Sequence, residues 1–152
     1  MLPVSTLDDL PIGELNETSV DSIGWERFAA QIGEAAATLS TPDRVHTIVL
    51  AENYGQAGTV DRWADEFDLP PVFSGHNELW WHTQPEEHVT TVIMATDGPR
   101  AQLLFRMCRR LGTVEDVGGG GAWYQERGKP ILLCHDPVRT WAELWPELRH
   151  YS

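Results

Sequence analysis

Two short segments carry most of the side chains able to do chemistry. The run Glu52-Asn53-Tyr54-Gly55-Gln56 offers a carboxylate, two amides and a phenol. The run His76-Asn77, followed by Trp80-Trp81, offers an imidazole, an amide and two indoles. If the two segments meet, Glu52 and His76 form a general acid–base pair, because histidine titrates near neutral pH. The plainer and preferred reading is that His76 and Asn77 hydrogen-bond the neighbouring loop and hold it in place. Gln56-Ala57-Gly58 opens a helix, whose free N–H groups can take an oxyanion. It lacks the Gly-Lys-Ser/Thr of a phosphate loop and the full dinucleotide fingerprint. The simpler roles are a tight turn for Gly55 and a helix cap for Asn53. Trp80 and Trp81 either offer flat apolar faces to a sugar or a lipid interface, or anchor a long loop. Asp97-Gly98 and His135-Asp136 are further polar loop segments. His76, His82 and His88 recur at intervals of six, which suits neither a helix face nor a compact metal loop, so neither metal nor cofactor is expected. Cys108 and Cys134 read as small buried thiols, or as one disulfide if the compartment is oxidising.

These residues need elements to position them. A helical pattern runs from Ser22 through Trp25, Phe28, Ile32, Ala35, Ala36 and Leu39. Val45 to Ala51 and Val89 to Thr96 are short apolar, β-branched runs that read as buried strands. A second amphipathic helix spans about Ala57 to Phe67. Leu69 to Phe73 is a turn into a short extended segment. Leu103, Leu104, Met107, Cys108 and Leu111 give a third helical face, with Gly112 as its C-cap. Thr113 to Val117 and Ile131 to Cys134 read as strands, and Trp141, Leu144, Trp145 and Leu148 as a last helix that Pro146 ends or kinks. Alternating strands and helices predict a three-layer α/β sandwich, Rossmann-like, with a mainly parallel sheet and helices on both faces. Ligands in such folds bind beyond the carboxyl ends of the strands, which gathers the loops at 52, 74, 97 and 135.

The chain has 152 residues, enough for one domain with its own core. Residues 1–20, rich in Pro, acids and hydroxyls, read as an extended lead-in, and 21–152 as a single α/β domain. Asp and Glu number 23 against 11 Lys and Arg, a net charge of −12. Such a surface repels phosphate backbones and anionic headgroups, so nucleic acid is not an expected partner. The longest basic run is Arg109-Arg110, and Lys129 is the sole lysine. No apolar run approaches the ~20 residues that span a bilayer, and the N-terminus has no signal-peptide pattern.

Taken together, Glu52 to Gly58, Leu69-Pro70, then Ser74-Gly75-His76-Asn77 with Trp80 and Trp81 form a pattern. It resembles the C-terminal soluble domain of bacterial membrane glycosyltransferases related to dolichyl-phosphate-mannose–protein mannosyltransferases. The family strings are close to NYGEAGA and SGHN followed by an aromatic stretch. Leu2-Pro3-Val4, Ile23-Gly24-Trp25 and the segment Trp141 to His150 resemble the flanks of that domain. Gln56 stands where the family commonly has Glu, Glu52 where it commonly has Gly, and Gly118 to Gly121 replace a more polar stretch. The resemblance implies an accessory domain, not catalytic alone, on the extracytoplasmic face of a membrane. Its partners would be the transmembrane portion of the same polypeptide and a polyprenyl-phosphate sugar or glycan acceptor. Glu52, Asn53, Tyr54, Gly55, Gln56, His76, Asn77, Trp80, Trp81 and Asp97 would face that ligand. A Cys108–Cys134 bridge becomes plausible on that side. Two other readings stand beside it. One is a free-standing hydrolase or carbohydrate-binding protein using Glu52 and His76. The other is a purely structural domain whose loop motifs fix the fold.

Overall fold

A computed structural model describes residues 12–75, 84–117 and 125–148, with backbone alone for 12–22 and Arg100. The elements run α1 (Ile12–Ala37), α2 (Thr41–Arg44), β1 (Thr47–Ala51), α3 (Tyr54–Trp63) and β2 (Val72–Ser74). Then come β3 (Thr91–Ala95), α4 (Arg100–Leu104), β4 (Phe105–Thr113), β5 (Pro130–Pro137) and α5 (Trp141–Leu148). The sheet order is β2-β1-β3-β5-β4.

β1 and β3 are buried along their whole length, which explains their unbroken apolar sequence. One face of the sheet carries Val49, Ile93, Ile131 and Leu133 against Phe28 and Ile32 of α1 and Val60 of α3. The other carries Ile48, Met94, Leu132 and Cys134 against Phe105 and against Trp141 and Trp145 of α5. Glu87 accepts the first free amides of α5, from Trp141 and Ala142, each at 3.0 Å. A carboxylate there also meets the positive end of the helix.

The mainly parallel, Rossmann-like expectation is overturned. β1 runs parallel to β2 and β3, but β5 runs antiparallel to β3 and β4 antiparallel to β5. The sheet is therefore mixed. The cause lies in residues 99–111, where a full helix was expected. The helix stops at Leu104 and the chain continues as the nine-residue strand β4. Cys108 then lies directly opposite Cys134, and their sulfurs are joined. Gly112, expected as a helix cap, instead marks a register shift in the β4–β5 pairing. Thr113 closes β4 rather than opening a separate strand. Because β5 is reversed, His135 pairs with Thr91 at the start of β3. His135 and Asp136 thus lie at the opposite end of the sheet from the loops after β1, β2 and β3. The lead-in also differs from expectation, since helical backbone begins at Ile12, directly after Pro11. Among the described residues, no helix is long and apolar enough to cross a membrane.

The bridge closes a chain loop with a sequence separation of 26 residues. Loop-closure entropy then gives it about 3.5 kcal/mol of stability. The double substitution Cys108→Ala/Cys134→Ala should lower the urea unfolding free energy by about that much. An unchanged midpoint would mean that the bridge constrains little.

Candidate functional site

The parallel strands β1, β2 and β3 end on the same side, and their loops deliver Glu52, Gly75 and Thr96 to one rim. Beneath that rim a cavity of about 500 Å³ lies between α4 and α5. Leu50, Met94, Ala101 and Leu104 give it apolar walls, while Glu52, Arg139 and Glu147 supply charge. Arg139 and Glu147 are paired with each other. Gly75 is set by close packing. A Cβ there would lie 2.2 Å from the Leu148 carbonyl oxygen at the end of α5.

Asn53 and Gln56, expected to face a ligand, are turned into the protein. Asn53 caps α3, its Oδ1 accepting from the Gln56 amide at 2.9 Å. The cap, the simpler role expected for Asn53, satisfies one of the free N–H groups that could otherwise take an anion. Gln56 is 1% exposed. Its Nε2 donates to the Ala95 carbonyl at 3.1 Å and to Glu126 at 2.7 Å, and its Oε1 accepts the Glu52 amide at 2.9 Å. Asn53 Nδ2 donates to the other Glu126 oxygen at 2.7 Å. Lys129 completes the set, donating to Glu126 at 2.8 Å and to Glu52 at 3.1 Å.

The centre of this network, Glu126, is only 3% exposed. Glu126 carries no sequence signal, and Lys129 stands out in the sequence only as the sole lysine. Burial alone pulls the Lys129 ammonium down, but the hydrogen bonds and charges of Glu126 and then Glu52 outweigh it, so its pKa is raised. Glu52 is thus held by a cation across the loop. Gly55 is required by packing, because a Cβ would sit 2.8 Å from the Trp25 ring. Tyr54 is 44% exposed at the start of α3, and Asp97 is exposed beside the Thr96–Gly98 turn. His76, Asn77, Trp80 and Trp81 lie outside the described residues, as do Gly118 to Gly121. The structure therefore brings Glu52, Asn53 and Gln56 together, while Asp97 follows the neighbouring strand β3.

There is a physical reason for an amide rather than a carboxylate at Gln56. A carboxylate there would face Glu126 at hydrogen-bond distance, and two like charges cannot both ionise cheaply in that space. Gln56→Glu should cost on the order of 3 kcal/mol at pH 7. The deficit should shrink as pH falls and one carboxyl of the new pair takes a proton. Chemical denaturation at pH 7 and at pH 4.5 checks this, and an equal deficit at both would contradict it.

The raised Lys129 pKa fixes a second sign. Its stabilisation is fully present below the ordinary value of 10.5 and is lost as pH climbs through the higher folded value. The melting temperature of the unaltered chain should fall more steeply above that pH than that of Lys129→Met, which is already weakened at pH 7. Parallel alkaline profiles would show that Lys129 adds nothing through its charge. Compared with protein-family models, with curated proteins and with solved structures, the chain matches none.

Proposed function

We propose that this chain is an extracytoplasmic accessory domain of a membrane glycosyltransferase. It contributes to recognition of a polyprenyl-phosphate sugar or of the glycan acceptor and does not catalyse transfer alone. The observation that carries this reading is the position of the cavity. Its rim is built by Glu52 and Gly75, one from each of the two segments on which the family resemblance rests. The apolar walls with a few charged groups at the edge suit an amphiphilic ligand. The Cys108–Cys134 bridge is in keeping with an oxidising compartment.

The hydrolase alternative loses ground on one point. The Glu52 carboxylate already accepts a hydrogen bond from the Lys129 ammonium at 3.1 Å, so that oxygen is engaged within the protein.

The test is a titration of the full chain with a short-chain polyprenyl-phosphate mannose and, separately, with a mannose oligosaccharide. Amide shifts should centre on Leu50, Met94 and Ala101, with affinity lost in His76→Ala or Trp80→Ala. Binding that is untouched by both changes would remove the 76–81 segment from the site. Turnover by the purified chain, lost in Glu52→Gln, would replace this proposal with the hydrolase.

A further inference from the structure

The strand β4 forms one border of the sheet, and its outer side is unpaired among the described residues. It is nine residues long, against three for β2 at the other border. A long open edge presents a row of N–H and C=O groups ready to pair with another strand. The side chains on it are unusual for this chain. Arg106, Arg109 and Arg110 are all exposed, within a protein of net charge −12. Cys108 and Arg110 pair with Cys134 and Leu132, whose side chains face α5, while Met107 and Arg109 pair with His135 and Leu133, on the α1 side. Cations therefore flank the open backbone from both sides of the sheet. Arg110 is engaged locally, with the Gly112 carbonyl and the Thr113 hydroxyl. Arg106 and Arg109 have no ion-pair partner among the described residues. Met107, between the arginines, is 59% exposed. Sequence reading missed this edge because a helix would have spread the same arginines around its circumference.

We propose that β4 is a docking edge for an extended acidic polypeptide segment, which joins the sheet as a sixth strand. Charge discriminates among the occupants. A second copy of the chain would set its own Arg106, Arg109 and Arg110 against these, like charge on like. An anionic bilayer is a broad plane that would also meet the acidic remainder of the surface. A single added strand touches the edge alone. Its carboxylates reach the arginines, while the protein's distant acids, more than about 8–10 Å away, are screened. Backbone hydrogen bonds then supply affinity, and Arg–carboxylate pairs on both sides select an acidic sequence. This inference does not rest on the glycosyltransferase reading and stands or falls by itself.

The test uses the full oxidised chain and a nine-residue peptide of three Glu-Glu-Val repeats, with Gln-Gln-Val repeats as its neutral counterpart. The acidic peptide should shift the amide resonances of 105–113 and slow their hydrogen exchange. It should bind about tenfold more tightly than the neutral one at low salt. The triple variant Arg106→Gln/Arg109→Gln/Arg110→Gln should erase that preference, and the corresponding triple Lys variant should keep most of it. Equal binding of the two peptides, or no change along β4, would overturn the proposal. So would co-sedimentation with phosphatidylglycerol vesicles without peptide binding, or a dimer that the Gln variant dissolves.

Discussion

The Glu126 carboxylate lies almost wholly out of water and receives three nitrogen donors, from Asn53, Gln56 and Lys129. An ionised carboxyl in that position is costly unless its lone pairs are filled, so each donor must arrive in place. The donors come from two distant stretches of chain. Asn53 and Gln56 lie at the start of α3, and Lys129 lies just before β5. Meeting them fixes how residues 126–129 sit against the end of β1. Gln56 extends the constraint further, since it also holds the Ala95 carbonyl at the end of β3 and the Glu52 amide after β1. One buried charge thereby sets the relative positions of the strand ends that form the cavity rim.

This arrangement changes what the loop after β1 can do. Its two amide side chains are committed to internal bonds, and its glycine admits the Trp25 ring. Glu52 keeps a carboxylate at the rim, oriented by Lys129. The loop therefore builds a rigid border for an apolar cavity more than it presents a set of hydrogen-bonding groups. Rigid borders favour recognition, because little ordering entropy is lost when a ligand docks. The Gly75–Leu148 contact does similar work on the far side, bringing the end of α5 down onto the loop after β2.

What could be read from sequence follows from how local each signal is. β1, β3 and α5 were legible because full burial leaves continuous apolar runs or a clean helical stripe. The Asn53 cap was legible from residue type alone, whereas the tight turn expected at Gly55 is not formed: Gly55 lies inside α3, against the Trp25 ring. β4 was not, because an edge strand exposed on both sides has no alternating pattern. The spacing of Leu104, Met107, Cys108 and Leu111 then imitates a helix. Its true state is decided by pairing with β5 and by the Cys108–Cys134 bridge, both distant in sequence. Strand direction failed with it, since a reversed β5 leaves no mark on a short apolar run. Glu126 and Lys129 lie in a turn with no periodicity. The one usable signal was Gln56, a polar side chain amid apolar neighbours that needs a partner if buried.

The central claim is that the centre of the network, the Glu126 carboxylate and the Gln56 amide, is closed to water and opens only when the whole fold opens. Hydrogen exchange of the Gln56 side-chain amide and of the Glu52 backbone amide measures this most directly. Both should exchange at the slow rate of the central β3 amides, with the free energy of global unfolding. Exchange orders of magnitude faster, at the rate of exposed loop amides, would show a network that opens by itself, and the account of the site would fail.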